Sequence, residues 1–334
     1  MDKKITLPDA PAVPGLAFRG FRGKSDYPVI LDIFNSCKDI DKIDYTDTLE
    51  SVTHNYEHLE RCDPFTDMIF AEVDDQAVAY GRVTWFQEGQ GSYGYFAFGY
   101  VKPEWRRKGL GTAILRHNER RLREIAAQHP AEAEKYFQSA HYDSQVGLAD
   151  LLKANGYQDV RWAYQMTRLT SDPLPEAPMP AGLEVRPSTA EQARPVWDAM
   201  EEAFSENWGF VRGTEDTFQR WISNPNFDPS LWKVAWDGDE VAGIVRNYVD
   251  LDGTVVAGRK RGWTEPICVR KPWRRLGLAR SLLVQSIQMF RELGFDETAL
   301  GVDTQNPNHA LNLYEGVGYK MGRKYTTYRK KLEI

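Results

Sequence analysis

Two short stretches of this 334-residue chain set arginine and glycine at a spacing suited to holding an anion, Arg106-x-x-Gly109-x-Gly111 and Arg274-x-x-Gly277-x-Ala279. Each follows a run of strand character and precedes a helical one. Glycine has no Cβ to block a phosphate, the first amides of a helix point outward unpaired, and the adjacent Arg107 and Arg275 add positive charge. A pyrophosphate would fit such a cradle. One copy alone could equally be a basic turn that caps a helix, but two copies in matching context favour the anion. Neither has the Gly-x-Gly-x-x-Gly spacing or the terminal Gly-Lys-Ser/Thr of nucleotide-binding loops.

The elements that must position these cradles repeat as well. Residues 101–115 align without gaps on 269–283, sharing the valine, the tryptophan, both arginines, the first glycine and two leucines. Asn155-Gly156-Tyr157, before the strand-like 161–166, matches Val317-Gly318-Tyr319 before 324–328. Residues 231–236, the turn Asp237-Gly238-Asp239 and residues 241–245 spell a hairpin. Leu283, Ile287, Phe290 and Leu293 then recur at helical spacing up to the stop signal Gly294. Both halves are therefore mixed α/β. The proline-dense stretch 171–181 is a linker, which divides the chain into an N-terminal domain at 12–170 and a C-terminal one at 182–334.

The gross numbers agree with two ordinary domains. The chain is 42% hydrophobic and 27% charged, the balance of a globular protein, and its length exceeds one compact core. A net charge of -6 argues against nucleic acid or an anionic membrane as partner. No apolar run reaches membrane-spanning length and Met1-Asp2-Lys3-Lys4-Ile5 lacks a signal-peptide core, so the expected location is the cytoplasm. Cys37, Cys62 and Cys268 follow neither disulfide nor metal spacing, and the six histidines form no ligand set, so no metal is expected. Cys268 is expected to be packing.

The cradle between strand and helix resembles the signature of the GNAT superfamily of acetyltransferases, Gln/Arg-x-x-Gly-x-Gly/Ala, and both halves carry it. The segment from Asn306 through Ala310, Leu313 and Tyr314 to Gly318-Tyr319 is similar to that family's second motif, with one extra residue between Asn306 and Ala310, and occurs in the C-terminal half alone. The tandem layout resembles the mycothiol synthase-like branch. The resemblance implies an α/β (α+β) fold of two tandem domains, each a central mixed, mostly antiparallel twisted sheet flanked by helices. It also implies acetyl-CoA as cosubstrate. On that footing the strand at Cys268, Val269 and Arg270 takes the pantetheine arm through its backbone. Arg274, Arg275, Gly277, Leu278, Ala279 and Arg280 take the pyrophosphate. Asn306 is either a further cosubstrate contact or a helix cap. Tyr100, Val101, Arg106, Arg107, Gly109, Gly111 and Thr112 hold the matching places in the N-terminal half. Tyr314 is, by the same resemblance, the general acid that reprotonates the departing thiolate.

A transferred acyl group needs an acceptor amine that is neutral, close and well oriented. Glu265 shares a strand face with Ile267 and Val269 and is the general-base candidate; a solvated strand carboxylate is the competing reading. In the N-terminal half Leu152 stands in the place of Tyr314 and residues 95–99 hold no carboxylate, so that half is expected to be catalytically degenerate. The expected reaction is acetyl transfer to the primary amine of a small molecule in a monomeric or homodimeric enzyme. Trp208, Phe210 and Trp232, with Glu201, Glu202 and Glu206, are expected to line a site for a cationic acceptor. The alternatives are a non-catalytic acyl-CoA sensor or scaffold and a peptide or protein N-acetyltransferase.

Overall fold

A computed structural model describes residues 4–44, 47–250, 255–256 and 258–333. The chain divides into two compact units, one of residues 1–160 with 326–334 and the other of residues 161–325.

The first unit carries β1 (Lys4–Ile5), β2 (Leu16–Arg19), α1 (Tyr27–Asp41), α2 (Leu49–Glu57), α3 (Pro64–Asp67), β3 (Met68–Val73), β4 (Gln76–Gln87), β5 (Tyr93–Val101), α4 (Leu110–Ala126), β6 (Lys135–Tyr142) and α5 (Val146–Ala154). Strand alternation divides its core between two faces. Ile69 and Ala71 of β3 pack with Leu110, Ala113 and Ile114 of α4, while Met68 and Phe70 pack with Ile30 and Ile33 of α1. The sheet order is β1-β2-β3-β4-β5-β6, antiparallel except for the parallel pair β5–β6.

The second unit follows the same plan with β7 (Gln158–Leu169), β8 (Glu184–Arg186), α6 (Ala193–Phe204), α7 (Glu215–Ile222), β9 (Lys233–Asp237), β10 (Glu240–Tyr248), β11 (Val255–Val256), β12 (Arg259–Val269), α8 (Leu278–Glu292), β13 (Glu297–Asp303), α9 (Ala310–Val317) and β14 (Lys320–Lys331). Leu278 and Leu282 of α8 pack on Ala235, Ala242 and Val245, and Leu283 and Ile287 on Met166, Leu300 and Val302. Val196, Ala199 and Ala203 of α6 cover the other face over Val234, Trp236 and Ile244. Phe290 is fully buried against Gly262, where any Cβ would overlap its ring. Truncating it to alanine would cost about 3–5 kcal/mol.

The division of the chain differs from the one drawn at 171–181. Residues 163–169 of β7 pair antiparallel with β13 inside the second unit, and residues 326–331 of β14 lie beside β6 inside the first, where the Leu332 amide bonds Lys135 O at 3.0 Å. The closing strands of the two repeats are thus exchanged between units. The proline-rich stretch belongs to the second unit too: Arg168 and Arg291 donate to Asp172 O at 3.1 and 2.6 Å, and Leu174 and Met179 pack on its core.

Candidate active site

The parallel pair at the centre of the second unit opens partway along. Arg261, Gly262 and Trp263 face Glu297, Thr298 and Ala299 in register, and beyond them β12 and β13 part. Three hydroxyls brace the start of the opening. Tyr319 OH lies 2.8 Å from both Thr264 Oγ1 and Thr298 Oγ1, and Thr264 also donates to Ala299 O at 3.2 Å. On its other side β12 pairs with β10 through a bulge, so that Glu265 and Pro266 lie opposite Arg246 between the pairs Val245–Ile267 and Asn247–Thr264. The bulge breaks the plain alternation of the strand and turns Glu265 into the opening. Its carboxylate accepts from the amide of Gly301 across the gap and from Tyr248 OH at 3.4 Å. Burial drives this carboxyl above the ordinary carboxylate range, against the pull of the Gly301 amide, the Tyr248 hydroxyl and the Arg246 charge. A raised carboxylate held by directed donors takes up a proton more readily than an ordinary one. It is not a solvated strand residue.

Tyr314 is buried on α9, edge-on to Tyr319 with ring centroids 6.4 Å apart. Burial, and then the charge of the nearby Glu265, push its phenol well above the usual range, which keeps it protonated at any physiological pH. Cys268 is equally buried, its thiol pushed up to about 12 by desolvation among the packing residues of α6 and β10. It is packing, as its place in the strand suggests.

At the end of β12 a short 3-10 turn, Lys271–Trp273, leads into the cradle. Arg275 and Gly277 both take left-handed backbone, φ 65° and 87°, a conformation costly for arginine that redirects the amides here. The helical ladder of α8 starts with Ser281 N on Gly277 O, which leaves the amides of Leu278, Ala279 and Arg280 without intrahelical acceptors. A Cβ on Gly277 would meet nothing within 4 Å. The cradle therefore has the open face and the donor set that a pyrophosphate requires. Arg274 serves it indirectly: its Nε holds Val269 O at 2.9 Å, and its other nitrogens reach Glu206 at 3.2 Å and Ala203 O at 3.3 Å. Arg270 likewise spends its amide on Ala242 O and its guanidinium on Glu202 at 2.9 Å and Glu240 at 3.3 Å. Arg275 and Arg280 form no ion pair among the described residues, so they are the side-chain cations left for a ligand. Asn306 accepts from Asn308 N at 2.8 Å and shapes the loop before α9, whose N-cap is His309.

The first unit repeats much of this frame with different side chains. Its parallel pair, Tyr93–Phe96 on Lys135–Gln138, also ends partway, and Arg106 Nε holds Val101 O at 2.9 Å as Arg274 does Val269. Arg107 and Gly109 repeat the left-handed pair, φ 60° and 86°. The differences are local. In the gap-free repeat Ala97 aligns with Glu265, but by strand register Ala97 opposite Val83 matches Thr264 opposite Asn247, so the bulge that carries Glu265 has no counterpart here, and Leu152 is a fully buried core residue. A Cβ on Gly109 would meet Pro11 at 3.0 Å, one on Gly111 would meet Leu151 at 3.2 Å, and Arg107 is paired with Asp150 at 2.8 Å. Tyr100 is packed between Tyr80 and Phe34, and Thr112 follows Gly111 in the first turn of α4.

The expected acceptor lining needs correction. Glu202 and Glu206 neutralise Arg270, Lys271 and Arg274, Glu201 caps the Gly213 amide at 3.0 Å, and Trp232 is a core residue stacked on Trp221. Glu202 on α6 and Glu206 just after it pair with residues at the end of β12 and in the cradle turn, and Glu201 holds the loop before α7. Sequence reasoning missed Arg246, Tyr248 and Gly301 around Glu265. The signal for the first was an arginine directly after the apolar run 241–245, on the same strand and at the repeat position of Arg82.

The comparisons with known proteins agree with this geometry. The acetyltransferase (GNAT) family matches residues 28–141 and 195–319. The mycothiol acetyltransferase of Geodermatophilus obscurus is 28% identical over 256 residues, 76% of this chain and 78% of its own length. That of Thermobifida fusca is 28% identical over 244 residues, 68% and 72% of the two chains. The crystal structure of a GCN5-related N-acetyltransferase from Sphaerobacter thermophilus matches with a TM-score of 0.71 at 27% identity, covering 98% of this chain and 97% of that one. A tandem GNAT protein from the clavulanic acid biosynthesis pathway shares the fold with a TM-score of 0.64 at 14% identity, over 95% and 98% of the two chains. With two matched regions that together span most of its length, the chain belongs to the GNAT acetyltransferase family and is a tandem-domain N-acetyltransferase.

Proposed function

We propose that the second unit transfers an acetyl group from acetyl-CoA to the primary amine of a small molecule within a ternary complex, and that the first unit is catalytically silent. The observation that carries this reading is Glu265, held over the opened parallel pair by the Gly301 amide and Tyr248, next to the uncovered cradle at Gly277. Acetyl-CoA supplies the activated acyl group. The amides of Leu278, Ala279 and Arg280 with the side chains of Arg275 and Arg280 hold its pyrophosphate. Glu265 removes the proton that keeps the acceptor amine unreactive. Tyr314, kept neutral by burial, holds a proton ready for the departing sulfur. In the first unit the absence of a carboxylate at position 97 and of a phenol at position 152 removes both proton carriers, and Pro11 covers its cradle. The relatives named as mycothiol acetyltransferases favour a small acceptor over a protein one.

The test is free-thiol release from acetyl-CoA across a panel of small primary amines, with Glu265→Gln and Tyr314→Phe alongside. Turnover by the natural chain that both substitutions suppress supports the reading. Tight acetyl-CoA binding without transfer to any amine would replace it with an acyl-CoA sensor.

A further inference from the structure

The acids expected to receive a cationic acceptor are all engaged, and the buried charge left over beside Glu265 is positive. Arg246 projects from β10 opposite the bulge that carries Glu265 and Pro266. Among the described residues it has no ion pair, and its Nε is buried with no hydrogen-bond partner. Its guanidinium lies 5.6 Å from the Trp221 ring and 6.0 Å from the Tyr248 ring, the outer limit of a useful cation–π contact. Desolvation lowers its pKa, so its charge is held at a cost that an incoming anion would relieve.

The repeat supplies an internal control. Arg82 stands at the matching place on β4 of the first unit, and its Nε is also buried without a partner. There the guanidinium is covered on both sides, 4.8 Å from Tyr56 and 4.5 Å from Phe98. Phe98 is the repeat counterpart of Pro266. With proline in place of that ring, next to the carboxylate of Glu265, the rings nearest Arg246 are Trp221 and Tyr248 at 5.6 and 6.0 Å, farther than those on Arg82.

Building on the catalytic reading above, we propose that the acceptor is a small amino acid in the broad sense, an amine that also carries a carboxylate or phosphonate, and that Arg246 binds this acidic group. A guanidinium recognises either group through paired N–H donors. Arg246 and Glu265 face each other across one strand pair, so the amine and the acidic group of the acceptor are separated by a few bonds. An arginine in this place would repel a plain cationic amine, and the second, acidic group offsets that repulsion.

The test compares the proteinogenic amino acids with their carboxamides and with the matching aminoalkylphosphonates, using the natural chain, Arg246→Gln and Arg246→Lys. The natural chain is expected to prefer the acid over its amide by about tenfold or more in kcat/KM, and Arg246→Gln to collapse that ratio mainly through KM. Carboxylate and phosphonate arms identify the anion. Equal use of acids and amides, or equal loss on both with a displaced acid limb of the pH profile, would overturn the proposal and make Arg246 a positioning residue for Glu265. Calorimetric titration of the same compounds separates this from a failure of catalysis. Acids that bind the natural chain but not Arg246→Gln, with no acetyl transfer, would uphold the arginine and refute the transfer reading, whereas absence of both would refute the arginine.

Discussion

At matching positions of the two units, the strand before the cradle presents Glu265 in one and Ala97 in the other, the closing helix presents Tyr314 and Leu152, and the cradle glycine faces open space in one and Pro11 in the other. Around the cradle the backbone is nevertheless the same in both, down to the left-handed arginine and glycine and the Arg Nε bond to the last strand carbonyl, while the bulge between β10 and β12 has no counterpart between β4 and β5. The frame is thus separable from the chemistry. Its geometry follows from a turn, a helix start and a splayed strand pair, and the proposed proton carriers are a few side chains laid over it.

The comparison is broken most directly at the proton carriers. Glu265→Gln is expected to lower kcat by about 10²- to 10³-fold and Tyr314→Phe by about 10²-fold, measured as initial rates at saturating acetyl-CoA. Loss of less than about threefold in either would leave the carboxylate or the phenol without its role.

The next effect concerns what each cradle arginine is for. Arg106 makes two bonds to the buried Asp41, at 2.7 and 2.8 Å, whereas Arg274 meets the half-exposed Glu206 at 3.2 Å. Removing Arg106 strands a buried carboxylate, so Arg106→Ala should cost about 3 kcal/mol or more in denaturant unfolding. Arg274→Ala should cost about 1 kcal/mol. Equal costs would mean that the arginines are structurally equivalent and that the units differ less than their contacts indicate.

Smaller still is the contrast between the two Gly-Tyr tyrosines. Tyr319 shares its hydroxyl with Thr264 and Thr298, while the buried Tyr157 hydroxyl lies near the Glu119 carboxylate without a hydrogen bond of ordinary geometry. Tyr319→Phe should destabilise by about 1–2 kcal/mol and Tyr157→Phe by nothing, or should stabilise. The reverse order would contradict the assignment of the hydroxyl triad to the catalytic opening.

The smallest effect is in pH. Burial raises the Glu265 carboxyl, so the folded state holds its proton more tightly than the unfolded one. Stability is therefore lost as pH rises from the ordinary carboxylate value through the raised one. Glu265→Gln should melt above the natural chain at neutral pH and level with it in acid, and the acid limb of kcat/KM should vanish with the carboxylate. A variant less stable at neutral pH would show that the charge is stabilised, not strained.

The sequence made the cradles, the repeat and the missing proton carriers of the first half legible because each is a local pattern read from adjacent residues. Arg246, Tyr248 and Gly301 were hidden because they reach Glu265 across strands, through a bulge whose register no local pattern states. Glu202 and Glu206 misled for a related reason: an acid on a helix is the same in sequence whether it faces a substrate or an arginine on the neighbouring strand. The exchange of β7 and β14 was invisible because two repeats of the same plan offer each closing strand two similar sheets. The linker composition was read correctly as irregular backbone but gave no warning that Arg168 and Arg291 fasten it to the second unit.

The central claim, that one cradle serves catalysis and its twin does not, is tested most directly by blocking each in turn. Gly277→Trp and Gly109→Trp place the same bulk on the same left-handed backbone, so the backbone strain is matched, and at Gly109 the new side chain must in addition displace Pro11, 3.0 Å from its Cβ. With both variants shown to be folded by their melting curves, acetyl-CoA affinity and turnover should be lost by at least about tenfold in Gly277→Trp and retained in Gly109→Trp. Loss in Gly109→Trp with turnover intact in Gly277→Trp would place the working cradle in the first unit and contradict the account.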